Sequence, residues 1–472
     1  MIGDLKPYAD YKDSGLPWLG QVPAHWRVVR NGSLFGQRSQ TGYAELPIME
    51  VSLKTGVQVR SFGGAKRKQV MSDFSKYKRA VKGDLAYNTM RMWQGALGIC
   101  PVDGLVSPAY VVARPYPEVV SEYFAALFRT GDYMAEIDAA SRGIVKDRNR
   151  LYWDQFKQMQ APCPPPDEQA AIVRFLASVN GRLDRAIRAK RKVIVLLMEQ
   201  KQATVQRLVL QGRDSRCRSK STGVEWLGDV PEHWEVRSLK AVSQVQSGVT
   251  LGKDYGGERT HEFPYLRVAN VQAGFVNLSE VKTIRVPSTE ALRSTLAAGD
   301  VLMTEGGDPD KLGRGCVWDG QVAQCLHQNH VFAVRPDRER LVPRFLAELL
   351  GTGYARAYFQ STAKQTTNLA STNKTKIGRL QVPLPPVAEQ HEILAAVTAE
   401  TSPLNAAVAR LEGEIQLLRE YRNRMVADIV SGRLDVRAAA ARLPDDATTE
   451  SQVAASEVAD DLELSDEEAT EA

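Results

Sequence analysis

The stretch SGLPWLGQVPAHW, at residues 14–26, returns as TGVEWLGDVPEHW at residues 222–234. Both tryptophans of the phrase recur at one distance, since Trp18 and Trp226, like Trp26 and Trp234, are 208 residues apart. A long phrase that recurs within one chain indicates an internal duplication, and a duplication decides the overall fold before any local pattern does.

Further anchors recur in the same order along the chain. They are Gly83-Asp84 with Gly299-Asp300, 216 residues apart, Arg114-Pro115 with Arg335-Pro336, 221 apart, and FKQMQAPCPPPDEQ from residue 156 with IGRLQVPLPPVAEQ from residue 377, again 221 apart. The anchors keep their order while the loops between them change length. We therefore predict two tandem copies of one scaffold that carry two different surfaces.

Each copy has a globular part and a helical part. Residues 17–166 and 225–386 mix short apolar, β-branched runs with Gly-rich turns and short helical patterns, which predicts a mixed α/β fold. After each Pro-rich end, apolar residues recur in alternating three- and four-residue steps over about 40–45 residues. This spacing places the apolar residues on one narrow stripe of a helix, and it predicts two coiled-coil helices, each roughly 60–67 Å long.

A helix with one narrow apolar stripe needs a partner to cover it. We expect the two long helices to pack antiparallel, in a pseudo-twofold molecule with the globular parts at opposite ends. The alternative is two independent helical linkers, each packed on its own globular part. Pro403, near the start of the second stripe, is expected to kink or shorten that helix.

Composition places the chain among ordinary proteins of the cytoplasm. It has 472 residues, 43% hydrophobic and 25% charged, with no apolar run near the ~20 residues that cross a bilayer and no secretion signal at the N-terminus. The five cysteines are scattered without a CxxC pair, which predicts reduced thiols rather than disulfides or a zinc site.

The formal net charge of +5 hides an acidic C-terminal tail. Residues 445–472 hold eleven acidic residues and no Lys or Arg, so residues 1–444 carry +16. A basic body favours a polyanionic partner such as nucleic acid, although many soluble proteins are mildly basic. We expect the tail to be disordered and to aid solubility; a tail that competes with DNA for the basic body is the other interpretation.

The doubled WLG-x-VP-x-HW phrase, the Gly-Asp before a strand and the P-x-PP-x-x-EQ start of each long helix together resemble one family. Up to about Arg437, the chain resembles the DNA-specificity subunit of type I restriction-modification systems. The resemblance implies that each globular part is a target-recognition domain for one half of a bipartite, asymmetric DNA site. It also implies that the two helices are a spacer between the half-sites.

The resemblance further implies partners and a division of labour. Two modification subunits, which bind S-adenosylmethionine and methylate adenine N6, and restriction subunits with a translocase and nuclease would join a cytoplasmic, cofactor-free subunit that catalyses nothing. The predicted domains are 1–166 and 214–386 for target recognition, 167–213 and 387–437 for the spacer helices, and 438–472 for the acidic tail.

Basic and amide side chains in the divergent loops are the candidate DNA contacts. Contacts to phosphate, which position the protein, are expected from Lys66, Arg67, Lys68, Arg142, Lys146, Lys364 and Lys374. Base-edge contacts are expected from Asn88, Arg91, Gln94, Lys311, Arg314, Gln365, Asn368 and Asn373, because such side chains pair with bases in the major groove. The alternative for each is a solvated loop residue. The same alternative applies to the basic run RAIRAKRK at residues 185–192.

No catalytic constellation stands out in the sequence. It contains no GxxxxGK[ST], no GxGxxG after a strand and no Asn/Asp-Pro-Pro-aromatic signature of adenine methyltransferases. His327 and His330 form a metal-like pair before a strand, but Cys325 is the only thiol near them and residues 320–336 hold no acidic ligand, so we predict no metal site. A coiled-coil interaction scaffold without sequence-specific DNA binding remains the alternative function.

Overall fold

The computed structural model describes residues 5–53, 55–60, 74–143, 149–214, 216–307, 312–313, 315–365 and 370–444. The eleven acidic residues of the predicted tail, all within residues 445–472, lie outside the described residues, whereas residues 438–444 of that predicted tail are described and include the buried Ala440 and Leu443. The chain divides into two compact units, one of Met1–Arg191 with Glu412–Ala472 and one of Lys192–Leu411. Among the residues described, no helix combines the length and the apolar character that a membrane span requires.

The first unit begins with small strands and ends with the last helix of the chain. Its strands are β1 Tyr11–Asp13, β2 Gln21–Pro23, β3 Arg27–Arg30, β4 Phe35–Arg38, β5 Met49–Ser52, β6 Gly56–Val59, β7 Lys78–Ala80, β8 Leu85–Asn88, β9 Leu97–Ile99, β10 Gly104–Val106, β11 Tyr110–Pro115 and β12 Gln160–Cys163. Its helices are α1 Ser121–Phe128, α2 Gly131–Ala140, α3 Trp153–Phe156, the first part of α4 Pro166–Gln211, the last part of α9 Val387–Val430, and α10 Arg437–Ala441.

A four-stranded antiparallel sheet, in the order β4-β11-β8-β9, lies at the centre of the first unit. Side chains alternate across it, as the period of two in a strand requires. Val111 and Ala113 of β11 face the main core, which contains α1, α2 and α4, whereas Val112 faces a second cluster with Met49 and Val57. The apolar run of β11 is thus explained by burial on both faces of the sheet.

The second unit repeats this plan. Its strands are β13 Ser219–Ser221, β14 Asp229–Pro231, β15 Glu235–Ser238, β16 Ser243–Ser247, β17 Thr260–Leu266, β18 Lys282–Pro287, β19 Val301–Thr304, β20 Gly306–Gly307, β21 Gly315–Val317, β22 Leu326–His327, β23 Val331–Pro336, β24 Lys364–Gln365, β25 Ala370–Ser371 and β26 Gln381–Leu384. Its helices are α5 Ser288–Ser294, α6 Pro343–Leu350, α7 Gly353–Thr362, α8 Lys374–Arg379 and the remaining parts of α4 and α9.

The sheet order of the second unit, β16-β23-β19-β21, corresponds strand for strand to that of the first. The β3–β12 pair likewise corresponds to the β15–β26 pair, and β1–β2 to β13–β14. The second unit adds a sheet in the order β18-β17-β22, which contains residues from the longer loops of this copy. The prediction of a mixed α/β fold in two tandem copies is confirmed.

The two long helices run antiparallel within each unit. In the first unit Lys190 pairs with Glu414 at 2.5 Å, and Asp184 pairs with Arg422. In the second unit Arg207 of α4 lies 2.8 Å from Glu400 of α9. Residue numbers rise along one helix as they fall along the other, so the predicted antiparallel pairing is confirmed.

Pro403 lies inside α9 and does not end it, because the helix runs without a break from Val387 to Val430. The expectation of a shortened second helix was therefore wrong. A proline in a helix interior removes one backbone hydrogen bond, and its ring clashes with a carbonyl group of the preceding turn. The exposed position of Pro403 and the packing of its neighbours Val397 and Thr401 allow the helix to continue.

The far end of each long helix packs on a repeated phrase. Gly432, after α9, lies against Pro23 and Trp26 in the first unit, and Gly212, after α4, lies against Pro231 and Trp234 in the second. Both glycines have positive φ, 82° and 78°, as a C-terminal stop of this kind requires. We name these Pro-Trp pairs the helix seats. Each phrase thus receives the end of a long helix.

Candidate nucleic-acid interface

The histidine and the second tryptophan that both repeated phrases share make contacts within the fold. Trp26 is fully buried and its Nε1 donates to Glu168 Oε1 over 3.0 Å, while His25 Nε2 lies 2.7 Å from Glu168 Oε2. Tyr8 donates to the same carboxylate over 2.5 Å. Burial and Glu168 raise the pKa of Tyr8, so its hydroxyl stays protonated and available as a donor.

The second copy repeats this arrangement with one donor fewer among the contacts of the described residues. Trp234 donates to Glu389 over 3.1 Å, and His233 Nε2 lies 2.8 Å from the same carboxylate. Glu168 and Glu389 are the glutamates of the repeated P-x-PP-x-x-EQ segments. The repeated histidine, tryptophan and glutamate therefore hold the scaffold together.

The glutamine that follows each glutamate accepts a hydrogen bond from the residue directly before a helix. Gln169 Oε1 accepts from Val120 N over 2.9 Å, directly before α1, and Gln390 Oε1 accepts from Val342 N over 2.8 Å, directly before α6. Both glutamines are fully buried. Every matched residue of the Glu-Gln pair is thus structural, which leaves recognition to the segments where the copies differ.

The matched Gly-Asp pair forms the same turn in both units. Gly83 and Gly299 have φ of 88° and 92°, in the left-handed region that favours glycine. Asp84 accepts Val81 N over 2.8 Å and pairs with Arg38 at 2.7 Å. Asp300 accepts Ala297 N over 2.8 Å but pairs with Arg335, from a different strand. This turn directs β8 and β19 toward the divergent loops.

The loop after β8 presents part of its predicted set. Arg91 and Gln94 are exposed on the turn that spans residues 91–95. Asn88 is only 9% exposed, and its Oδ1 accepts Met90 N over 3.0 Å. Asn88 thus stabilises the loop through a hydrogen bond inside it, while Arg91 and Gln94 face solvent.

The structure brings this loop together with the second basic segment of the first unit. Leu151 N donates to Thr89 O over 2.9 Å, and Arg142 and Arg150 exchange two backbone hydrogen bonds of 3.0 Å. Arg142 and Arg150 are both exposed. Lys66, Arg67, Lys68 and Lys146 lie outside the described residues. The described candidates of the first copy thus form one surface from two loops, which we name surface 1.

The same juxtaposition occurs in the second unit. Thr372 N donates to Glu305 O over 2.8 Å, and these residues match Leu151 and Thr89 in the repeat. Here the joined segments form a small sheet in the order β20-β25-β24, which includes Lys364. Exposed Asn373 and Lys374 follow, and Asn373 Oδ1 accepts Lys376 N over 3.0 Å as the cap of α8. We name this surface 2.

Three further candidates of the second copy, Lys311, Arg314 and Asn368, lie outside the described residues, and only the backbone of Gln365 is described. The structure adds two residues that the sequence reasoning missed. Met90 and Tyr152 are 40% and 47% exposed at surface 1. In the second copy Gly306 stands at the position of Met90 and Asn373 at the position of Tyr152. This difference between the copies is the sequence signal that could have identified the two residues.

The two histidines of the metal-like pair have separate surroundings. His327 is fully buried, its Nδ1 lies 2.6 Å from Val331 O, and burial lowers its pKa. His330 lies on the surface, 2.5 Å from Glu305. Within the described ranges no three His, Cys, Asp or Glu side chains are grouped as metal ligands. The pair is therefore accounted for by the packing of His327 and by the contact of His330 with Glu305.

A family model described as the type I restriction modification DNA specificity domain matches residues 231–415. The chain is 24% identical over 344 residues to the EcoKI specificity subunit of Escherichia coli K12, covering 68% of this chain and 70% of that protein. It is also 24% identical over 204 residues to a putative MjaX specificity subunit of Methanocaldococcus jannaschii. That match spans 42% of this chain and about half, 46%, of the archaeal protein.

A solved structure from work on the assembly and conformational transition of the type I R-M system shares the fold. Its TM-score is 0.58 at 16% identity, over 87% of this chain and 98% of the solved chain. The matched family segment lies in the second copy, and the first copy has the same strand order and the same buried contacts. The chain is thus similar to the DNA specificity subunits of type I restriction-modification systems, through the family model over residues 231–415 and through the EcoKI relative over 68% of its length.

Proposed function

We propose that this chain reads a bipartite DNA sequence, with surface 1 and surface 2 each recognising one half-site. The observation that carries the proposal is the equivalent pair of backbone hydrogen bonds, Leu151–Thr89 and Thr372–Glu305. Each hydrogen bond joins two segments that differ between the copies and carry basic side chains, and it does so at the same place on the shared scaffold. A shared scaffold with unlike surfaces supports two unlike half-sites rather than a palindrome.

The chain is the non-catalytic member of its complex. Two modification subunits would methylate adenine N6 with S-adenosylmethionine, and restriction subunits would translocate and cleave DNA, all in the cytoplasm. The basic charge of residues 1–444 supports DNA as the ligand of this subunit. In this assignment the candidate arginines, lysines and amides bind DNA, and the buried glutamates and tryptophans maintain the fold.

Mapping N6-methyladenine in DNA from cells with and without this chain, together with its modification partner, tests the proposal. We expect methylation in a split motif of two short, unlike halves around unspecified bases. A continuous motif would contradict recognition by two separate surfaces.

The scaffold alternative predicts a different response to salt. A protein that neutralises phosphates loses DNA affinity steeply as salt rises, because counterions are released on binding. We expect this for the complex of the chain with its modification partner. An affinity that stays flat between 50 and 200 mM salt, or no DNA binding by that complex, would favour the scaffold.

A further inference from the structure

Surface 1 carries two exposed apolar side chains at its centre. Met90 follows Thr89 and Tyr152 follows Leu151, the two residues joined by the 2.9 Å backbone hydrogen bond. The joined backbones therefore bring these two positions together although 62 residues separate them in sequence. We name Met90 and Tyr152 the apolar tip.

The outward position of the tip is set by its neighbours. Leu151 is fully buried in the main core of the first unit, and Met92 is also fully buried there. Tyr152 has an extended backbone, with φ −84° and ψ 165°, so its side chain leaves the chain on the side opposite Leu151. The core thus holds both flanks of the tip and leaves the tip itself in solvent.

Exposed cations surround the apolar tip. Arg91 follows Met90, Arg150 precedes Tyr152 by two residues, and the backbone bridge holds Arg142 opposite Arg150. None of the three guanidinium groups forms an ion pair with another residue that the structure describes. Cations around an apolar centre match DNA, where phosphates border grooves that present base edges and thymine methyl groups.

The second unit has no such tip at the matched positions. Gly306 stands where the first copy has Met90, and Asn373 stands where it has Tyr152. Gly306 is part of β20, and Asn373 caps α8. The apolar chemistry is therefore particular to surface 1, which is the behaviour expected of a residue that distinguishes one half-site from the other.

We propose that the apolar tip reads thymine in the first half-site, with the Tyr152 ring packed against a thymine C5-methyl group in the major groove. This inference rests on the proposed function, since it names what surface 1 recognises. Met90 fills the space beside the ring, and Arg91, Arg142 and Arg150 hold the flanking phosphates. Specificity at that base pair then comes from apolar contact instead of a hydrogen bond.

Replacing thymidine by deoxyuridine tests the proposal, because this change removes the methyl group and keeps the base pair. The probe is duplex DNA with the mapped motif, substituted at one thymine of the first half-site at a time, and the protein is the full chain with its modification partner. At one position we expect the affinity to fall about fourfold, the effect of one buried methyl group. Substitutions in the second half-site should not show this dependence on Tyr152.

Variants of Tyr152 connect the lost methyl group to this side chain. Tyr152→Ser should abolish the sensitivity to deoxyuridine, and it keeps a good capping residue before α3. Tyr152→Phe should keep the sensitivity, because the ring remains. Tyr421→Ser, at an exposed tyrosine of α9 that belongs to neither surface, serves as the control and should also leave it unchanged.

Three outcomes would overturn the inference. The first is a wild-type complex that is insensitive to deoxyuridine at every thymine of the first half-site, or a first half-site without thymine. The second is a Tyr152→Ser complex with the wild-type sensitivity. The third is a Tyr152→Ser variant that assembles poorly with the modification partner but keeps the sensitivity to deoxyuridine. That result would mean that the apolar tip contacts the partner protein and not the DNA. A split motif and steep salt dependence would survive each outcome and leave the proposed function intact.

Discussion

Glu168 and Glu389 occupy matched positions but differ in how firmly they are held. Glu168 is 5% exposed and accepts from Tyr8, His25 and Trp26, whereas the side chain of Glu389 is 26% exposed and meets only His233 and Trp234 in the contacts described. A buried carboxylate is stable only when its oxygens are well paired. The contribution of this glutamate to stability should therefore differ between the copies.

Glu168→Gln should destabilise the protein by about 2–3 kcal/mol, because the amide nitrogen cannot accept a hydrogen bond from its donors. Glu389→Gln, the matched variant, should cost about 1 kcal/mol, since solvent reaches that side chain. Chemical denaturation followed by tryptophan fluorescence gives both values. A larger loss for Glu389→Gln would show that the extra donor and the deeper burial of Glu168 contribute nothing.

His327 should make stability depend on pH. Its folded-state pKa is lowered by burial, so below about pH 6.5 the unfolded state binds a proton that the folded state resists. The free energy of unfolding should therefore fall as pH decreases from 7 to 5, with His327 responsible for up to about 2 kcal/mol of the loss. His327→Gln should give a shallower curve; parallel curves would contradict this assignment.

The role of a residue could be predicted where a local sequence pattern indicates it, but not where it depends on a contact with a residue far away in sequence. His25 and His233 recur at matched positions of the repeated phrase, and both pack as part of the scaffold. Their partners Glu168 and Glu389 stand more than 140 residues away, so no local pattern joins them. The pairing of Asp84 with Arg38 was equally hidden, because the arginine is not at a matched position in the second copy.

At the scale of elements, periodicity predicted the long helices well. The apolar pattern repeats over many turns and outweighs a single interrupting residue such as Pro403, which lies inside the continuous helix α9. Strand pairing was beyond the sequence argument, because short strands such as β8 and β9 pair through contacts that depend on the whole sheet. The meeting of two divergent loops at surface 1 follows from that sheet and was therefore also out of reach.

Replacing Pro403 should strengthen α9. Pro403→Ala restores a backbone N–H and removes a steric contact, which is worth about 1–3 kcal/mol in a helix interior, and no buried side chain is lost since the site is exposed. Ser402→Ala, an exposed neighbour, serves as the control and should change the free energy of unfolding by less than about 0.5 kcal/mol. Equal effects of the two variants would mean that the helix already accommodates the proline without cost.

Replacing the glycine at each helix seat by alanine should destabilise the protein to different extents in the two copies. Gly432→Ala combines a positive φ with close contacts to Pro23 and Trp26, where the Cβ would lie 3.0 Å from Cζ3 of the ring. Gly212→Ala meets Trp234 at 3.1 Å and Pro231 only at 3.7 Å. We expect losses of more than about 2 kcal/mol and of about 1 kcal/mol respectively, from thermal or chemical denaturation. The reverse order would argue against tight packing at the first seat.

At the scale of the whole molecule, the shared scaffold implies exchangeable recognition. Replacing residues 17–166 by the corresponding segment of another family member should change one half of the methylated motif and leave the other half unchanged, because surface 2 is built entirely from the second unit. The incoming segment must keep the Pro-Trp seat for the end of α9. Methylation mapping of the chimera gives the result, and a change in both halves would contradict independent reading.

The aspartate of the Gly-Asp turn takes its arginine partner from a different strand in each copy. Asp84 pairs with Arg38 of β4, whereas Asp300 pairs with Arg335 of β23, and the position matching Arg38 is held by Gln246. A buried carboxylate stripped of its partner costs about 3–5 kcal/mol, which selection would remove. The first copy still holds an arginine at the position of Arg335, the exposed Arg114. The partner of this aspartate can thus come from either of two neighbouring strands, β4 or β11 in the first copy, and the first copy holds an arginine on both.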